Sequence, residues 1–178
     1  MTTGVGRTGM WYGFQHFNIK PDIVALGKGI GNGYPVSVVV IEDKIAEKID
    51  KENIHHSQSH QNDVLGCVVA SEVIHIIEQN NLIKKSNENG QYFIEELCIL
   101  KEKSNVIREV RGSGMMIAIE FESEASAVLK SLNEYLIEKG FIVGYKPAFN
   151  LMRFYPSLTT TREDIRSLIE CIKEAILY

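Results

Sequence analysis

Residues 21–35 read PDIVALGKGIGNGYP. This stretch places an apolar run, IVAL at 23–26, just before a lysine at position 28 that has a glycine on each side. An apolar run that stops at glycine predicts a short strand followed by a tight turn. Lysine is seldom buried without a partner, so Lys28 is either a solvated turn residue or an amine directed at a ligand. The pattern alone leaves both interpretations open.

The bulk composition is typical of a globular protein. Of the 178 residues, 44% are hydrophobic and 24% are charged. A formal net charge of -4 provides no basic surface for phosphate, so a nucleic-acid partner is disfavoured. The longest aliphatic run, at 36–41, is too short to span a bilayer, and no membrane partner is expected.

The three cysteines, Cys67, Cys98 and Cys171, are far apart and lie in apolar stretches with helical spacing. They are expected to be buried free thiols rather than a disulfide framework or a zinc site. This usage predicts a reducing, cytoplasmic location.

Hydrophobic periodicity predicts an incomplete front half and a compact back half. Strands are predicted at 23–26, 36–41, 106–110, 115–121, 141–144 and 151–154, and helices at 43–49, from about 62, at 87–103, 125–139 and 162–177. The front half has too few strands to close its own core, so it is expected to be part of a larger sheet. Residues 87–178 follow the order helix, strand, strand, helix, strand, strand, helix, which is typical of an α+β domain.

Two glycine-rich segments resemble nucleotide loops only superficially. GVGRTG at 4–9 matches G-x-G-x-x-G, but a strand before it and a helix after it are not predicted, so a structured loop is favoured. GKGIGNG at 27–33 lacks the Walker spacing. Glycines around Lys28 would let a flat ligand approach the backbone, and an amine so placed can form a Schiff base.

Three other groups of residues are candidates for metal or carboxylate binding. Among His55, His56 and His60, a metal site would need His56 and His60 on one helical turn plus a third ligand, and the glutamate of H-E-x-x-H is absent, so a polar loop before the long helix is favoured and no metal is predicted. Arg153 lies between apolar neighbours on a predicted strand, where it either occupies the exposed face or clamps a carboxylate with two hydrogen bonds. Arg111 is similar, but a structural salt bridge explains it better.

Six segments together resemble one family. They are TGVGRTG at 3–9, HFNIKPDIV at 16–24, LGKGIGNGYP at 26–35, SHQND at 59–63, VRGSGMM at 110–116 and RFYPSL at 153–158. In this order they resemble the C-terminal part of the class III (ω-amino-acid type) pyridoxal-phosphate-dependent aminotransferases, over nearly the whole chain.

The resemblance implies an α/β fold, the C-terminal part of a fold-type I transferase dependent on pyridoxal 5'-phosphate (PLP). Residues 1–79 would be the remnant of the large PLP-binding domain, with an incomplete sheet, and residues 80–178 the small C-terminal α+β domain. By the same resemblance, Lys28 binds the cofactor covalently and later moves a proton. Arg153 holds the substrate α-carboxylate, and the Ser59 hydroxyl reaches the cofactor phosphate bound by the neighbouring subunit.

The implied reaction transfers an amino group from an amino acid or ω-amine to a 2-oxo acid. The implied partner is a second copy, in a homodimer with shared sites, or a missing N-terminal half. Family members are more than twice as long, and their other half carries the phosphate cup, the aromatic residue that stacks on the ring and the aspartate that pairs with its nitrogen. The chain is therefore expected to be a fragment that is inactive alone.

Two alternatives remain. The chain could be a non-catalytic folded remnant or an association subunit in which Lys28 is idle, and co-expression with an N-terminal half would distinguish this from a split enzyme. A nucleotide-binding oxidoreductase is a third possibility, which failure to retain a dinucleotide would remove.

Overall fold

The computed structural model describes residues 2–177 of the chain. The front half contains β1 (Ile23–Leu26), β2 (Val38–Ile41), α1 (Asp43–Lys51) and α2 (Val64–Gln79). The back half contains α3 (Leu82–Glu102), β3 (Ile107–Ser113), β4 (Met116–Phe121), α4 (Ser126–Glu138), β5 (Gly144–Lys146), β6 (Leu151–Phe154) and α5 (Arg162–Leu177). Short 3-10 turns cover Gly13–Phe17, Lys28–Ile30, Ser123–Ala125 and Pro147–Phe149.

The strands form two separate antiparallel sheets. β1 pairs with β2, with Ile23 opposite Ile41 and Leu26 opposite Val38. The other four strands form a sheet in the order β3-β4-β6-β5. The predicted order of elements over the back half is confirmed, and the front sheet has only two strands within residues 2–177.

The larger hydrophobic core lies where α3, α4 and α5 pack on the four-stranded sheet. Along β4, Ile117, Ile119 and Phe121 are buried while the residues between them are partly exposed, so the helices cover one face of the sheet. Phe93 of α3 meets Phe154 of β6 edge to face, with ring centroids 5.3 Å apart.

A smaller core joins the segments that surround Lys28. Its buried members are Val5, Leu26, Ile30, Ala70, Ile77 and Leu82. Because Leu82 belongs to α3, that helix contributes to both cores. The predicted domain boundary between residues 79 and 80 falls just before α3 and stays a prediction.

Several element boundaries differ from the prediction by a few residues, and two of the differences involve tertiary contacts. α3 was expected over 87–103, but it begins at Leu82, and the polar Ser86 inside it is fully buried because its hydroxyl donates to the Gly6 carbonyl at 3.0 Å. A strand was expected at 141–144, but β5 begins at Gly144, since Phe141 and Val143 pack against the larger core without pairing.

The cysteine prediction is partly wrong. The three cysteines are free, but Cys67 and Cys98 are exposed and Cys171 is half-buried. Cys98 lies beside the buried Leu97 on α3 and so occupies the outward face of that helix. On α2, Val64, Leu65 and Val68 are also exposed.

Within residues 2–177, no helix combines the length and the apolar character needed to cross a membrane.

Candidate active site

Lys28 begins the tight turn that follows β1. Its φ of 55° lies in the left-handed region, which is uncommon for residues other than glycine and asparagine. Glycine is needed at position 31, where a Cβ atom would lie 2.2 Å from the Tyr34 carbonyl oxygen. The Lys28 side chain is exposed, and its Nζ lies 3.5 Å from the Thr2 hydroxyl. The turn therefore presents an accessible amine.

The Lys28 side chain opens into a cleft of about 590 Å³ between the two cores. The residues that line this cleft include Arg7, Lys28, Val73, Ile77, Arg153 and Tyr155. Lys28 and Arg153 are distant in sequence, yet they contribute to the same cavity. An open amine and a guanidinium in one cleft suit a ligand that carries both a carbonyl group and an anion.

Arg153 occupies the middle of the sheet, since β6 pairs with both β4 and β5. Its Nε is buried and has no hydrogen-bond partner among residues 2–177. The guanidinium carbon lies 5.6 Å from the centre of the Tyr155 ring, within the range of a cation–π contact. Leaving a buried donor unpaired costs about 1–3 kcal/mol, so an acceptor from a ligand would stabilise this arrangement.

Arg7 also lines the cleft, although it was not among the site residues predicted from the sequence. Its Nη1 donates to the Met115 carbonyl at 3.1 Å and also to the Pro156 carbonyl. Burial lowers the pKa of the Arg7 guanidinium, and the nearby Tyr155 opposes that shift. A charged residue inside a glycine loop was the only available signal, because its partners are main-chain carbonyls that a sequence does not reveal.

The glycine loop at 4–9 does not have the setting of a dinucleotide site. Gly4 forms an isolated bridge with Tyr12, and the next regular element is the 3-10 turn at Gly13–Phe17 rather than an α-helix. The Thr8 carbonyl accepts from the Ser113 hydroxyl at 2.9 Å. The loop therefore joins the two cores.

The charge of the cleft favours anions. Arg7, Lys28 and Arg153 line it, and no carboxylate does so within residues 2–177. These residues fit PLP in part, because the amine can hold its aldehyde carbon and the cations suit phosphate or carboxylate groups. They supply no acid for the ring nitrogen of that cofactor.

Ser59 lies outside the cleft. It is exposed in the loop between α1 and α2, together with His55, His56 and His60. Its predicted role concerns a neighbouring subunit and stays a prediction. Within residues 2–177, no group of three potential ligands is arranged to hold a metal ion.

Arg111 has the structural role that was favoured for it. Its Nη1 lies 2.6 Å from a Glu109 oxygen and 2.7 Å from a Glu120 oxygen. The hydrogen bond to Glu120, followed by the charge of Glu109, raises the pKa of the Arg111 guanidinium. Arg111 is paired with two glutamates, whereas the Nε of Arg153 has no hydrogen-bond partner among residues 2–177. This difference distinguishes a structural arginine from a candidate ligand-binding one.

Comparison with known proteins identifies the family. The family model described as aminotransferase class-III matches residues 1–176. The chain belongs to the class III aminotransferases. The "[LysW]-aminoadipate semialdehyde/glutamate semialdehyde transaminase" of Sulfolobus acidocaldarius is 36% identical over 175 residues, covering 98% of this chain and 43% of that protein. The acetylornithine aminotransferase of Methanocaldococcus jannaschii is 35% identical over 171 residues, covering 96% of this chain and 41% of that protein.

Solved aminotransferase structures share the fold of this chain over part of their length. The acetylornithine aminotransferase of Elizabethkingia anophelis superposes with a TM-score of 0.87 at 30% identity, covering 98% of this chain and 43% of that one. A transaminase from the marine bacterium Virgibacillus gives 0.88 at 28% identity. The expected fold class, a partial fold-type I transferase, is confirmed. The chain spans well under half the length of these relatives.

Proposed function

We propose that the protein to which this chain belongs is a PLP-dependent aminotransferase. It would transfer an amino group from an amino acid or ω-amine to a 2-oxo acid. The observation that carries the proposal is the shared cleft, in which the exposed Lys28 amine and the Arg153 side chain line one cavity. The named aminotransferases among the relatives support the reaction class.

Each of the two residues has a distinct role in this proposal. Pyridoxal phosphate, when bound, supplies a ring that withdraws electrons from the substrate Cα. Lys28 Nζ would be its covalent anchor and, once the substrate amine has displaced it, the free base that takes the Cα proton, for which an exposed side chain on a glycine-flanked turn is suitable. Arg153 binds a substrate carboxylate and thereby orients the Cα hydrogen toward Lys28.

The second part of the proposal concerns assembly. We infer a homodimer in which Ser59 of one copy contacts the phosphate group held by the other, which agrees with its exposed position away from its own cleft. The cleft of this chain supplies no acid for the ring nitrogen within residues 2–177. We therefore expect this chain to attach the cofactor but to turn over poorly by itself.

Borohydride trapping tests the assignment of Lys28. The chain is incubated with pyridoxal phosphate, reduced with borohydride, digested and mapped by mass spectrometry. The expected product carries the pyridoxyl label on Lys28. Lys44 is an internal comparison, because hydrogen bonds to Asp22 and Glu42 raise its pKa and keep it protonated.

Two variants complete the experiment. Lys28→Arg removes the nucleophile and should abolish the label, whereas Lys44→Arg should leave it unchanged. Label spread over several surface lysines, with none on Lys28, would contradict the assignment. Retention of label in Lys28→Arg at a single other site would contradict it equally.

A further inference from the structure

Arg7 connects the glycine loop to the segment that follows Arg153. Its Nη1 donates to the carbonyls of Met115 and Pro156. Its own carbonyl accepts from the Met115 N–H at 2.9 Å, so main chain and side chain bind the same fully buried residue. On the other side of the loop, the Gly6 carbonyl accepts from the buried Ser86 hydroxyl. Arg7 is therefore held in place by hydrogen bonds of its own side chain and main chain and of the adjacent Gly6.

The hydrogen bond from Arg7 to the Pro156 carbonyl also restrains the neighbouring Tyr155. Proline fixes its own φ and restricts the residue before it to extended conformations. Because the φ of Pro156 is fixed, holding its carbonyl also limits how far the adjoining main chain of Tyr155 can shift. The Tyr155 ring lies against the Arg153 guanidinium, so the chain of contacts runs from Arg7 through Pro156 and Tyr155 to Arg153.

We propose that Arg7 is a positioning residue for Arg153, acting through the Pro156 carbonyl and the Tyr155 ring to hold the guanidinium ready for a carboxylate. The inference rests on the proposed function, since Arg153 needs this orientation only if it binds a carboxylate. Its Nη1 already donates to two carbonyls, so Arg7 acts here by positioning Arg153.

The first measurement needs no ligand. Because Arg153 Nε is buried, its N–H should exchange slowly with solvent and give a distinct ¹⁵N NMR signal. Arg7→Met keeps the apolar stem but removes the donors. We expect the Arg153 Nε–H to exchange at least about tenfold faster in this variant, which corresponds to the free energy that a hydrogen bond to a charged group usually contributes.

Two Tyr155 variants test the route of the coupling. Tyr155→Leu removes the ring and should accelerate Arg153 exchange as Arg7→Met does, whereas Tyr155→Phe keeps the ring and should change it little. Tyr155 is 38% exposed, so Tyr155→Leu keeps the test possible even if Arg7→Met fails to fold. In the Arg7→Met/Tyr155→Leu double variant, exchange should be no faster than in the faster single variant. Additive effects, or unchanged exchange in folded Arg7→Met or Tyr155→Leu, would overturn the inference.

A titration with 2-oxoglutarate separates this inference from the proposed function. In the unsubstituted chain the Arg153 Nε–H signal should shift on binding, and Arg7→Met should raise the dissociation constant about tenfold. If Arg7→Met weakens binding while the ligand-free exchange stays slow, Arg7 acts through its charge and positioning is refuted. If 2-oxoglutarate leaves the signal of the unsubstituted chain unmoved, the proposed carboxylate site is refuted, and the ligand-free exchange still decides the role of Arg7.

Discussion

The phenol of Tyr34 donates a hydrogen bond of 2.8 Å to Asp63, and the same carboxylate oxygen accepts the Gly66 N–H at 3.0 Å. Tyr34 follows the glycine-rich turn that begins at Lys28, and Asp63 is the N-cap of α2. Residues of α2 line the cleft. The hydrogen bond therefore joins the segment that carries the candidate catalytic lysine to a wall of its cavity.

This pair predicts a pH dependence of stability. The Tyr34 hydrogen bond, followed by main-chain donors such as Gly66, holds the pKa of Asp63 below its usual value. A carboxylate with a lowered folded-state pKa contributes stability above its unfolded pKa of about 3.9, and that contribution is lost as the pH falls through the folded value. Tyr34→Phe should therefore lower the thermal midpoint at neutral pH, and the difference from the unsubstituted chain should shrink in acid. A difference independent of pH would contradict this account.

Gly90 of α3 predicts a strong effect of a single methyl group. A Cβ atom there would lie 2.0 Å from the Gly114 carbonyl oxygen in the turn between β3 and β4. Gly90→Ala should thus destabilise the chain by about 1–3 kcal/mol through overpacking, despite the better helix propensity of alanine. Urea unfolding measures the loss. Gln91→Ala, on the exposed side of the same helix, is the matched control and should cost well under that amount.

Some elements could be predicted to the residue because local signals bound them. β1 ends at Leu26, directly before Gly27. α5 begins after Thr161, whose hydroxyl accepts from the Asp164 N–H at 3.2 Å, while the Asp164 carboxylate accepts from the Thr161 N–H at 2.9 Å. The start of α3 was missed; its first two turns contain Leu82, which is buried in the smaller core, and Ser86, whose hydroxyl donates to the distant Gly6 carbonyl. Propensity carries no information about such a contact.

Some features of the candidate site could likewise be predicted from the sequence, and others could not. Lys28 and Arg153 could be selected from sequence, since each is a charge within an apolar or glycine-rich setting and each matches a family segment. That Lys28 and Arg153 line one cleft could not be predicted, because this requires the lysine turn and β6 to lie close together around the glycine loop. Arg7 was missed for a related reason: its hydrogen bonds go to main-chain carbonyls, which every residue possesses.

The larger core predicts a contrast along α4. Leu132 is fully buried, whereas Ile137 on the same helix is 55% exposed. Leu132→Ala should cost about 2–5 kcal/mol, because it removes buried methyl groups and leaves a cavity. Ile137→Ala should cost far less, since its side chain already meets water. Equal losses in the urea midpoint would mean that α4 does not pack as described.

The cysteines should differ in reactivity. Burial is the main cause that raises the pKa of the Cys171 thiol, and the nearby Glu174 adds to it. At mildly alkaline pH, the raised pKa and partial burial of Cys171 should therefore slow its reaction, whereas Cys67 and Cys98 are exposed to the reagent. Iodoacetamide followed by peptide mapping should label Cys67 and Cys98 first. Labelling of Cys171 at the same rate would show that α5 is not seated against α4.

Arg153 and Arg111 offer a direct comparison of ligand-binding and structural arginines. Lysine retains the charge but not the planar fork that binds a carboxylate through two hydrogen bonds. Arg153→Lys should therefore raise the dissociation constant for 2-oxoglutarate about 10- to 100-fold, as expected for the loss of a charge-assisted hydrogen bond. Arg111→Lys should leave it unchanged, because Arg111 is already paired with Glu109 and Glu120. Isothermal titration calorimetry provides the measurement, and equal weakening by both variants would mean that overall charge, rather than the fork of Arg153, attracts the anion.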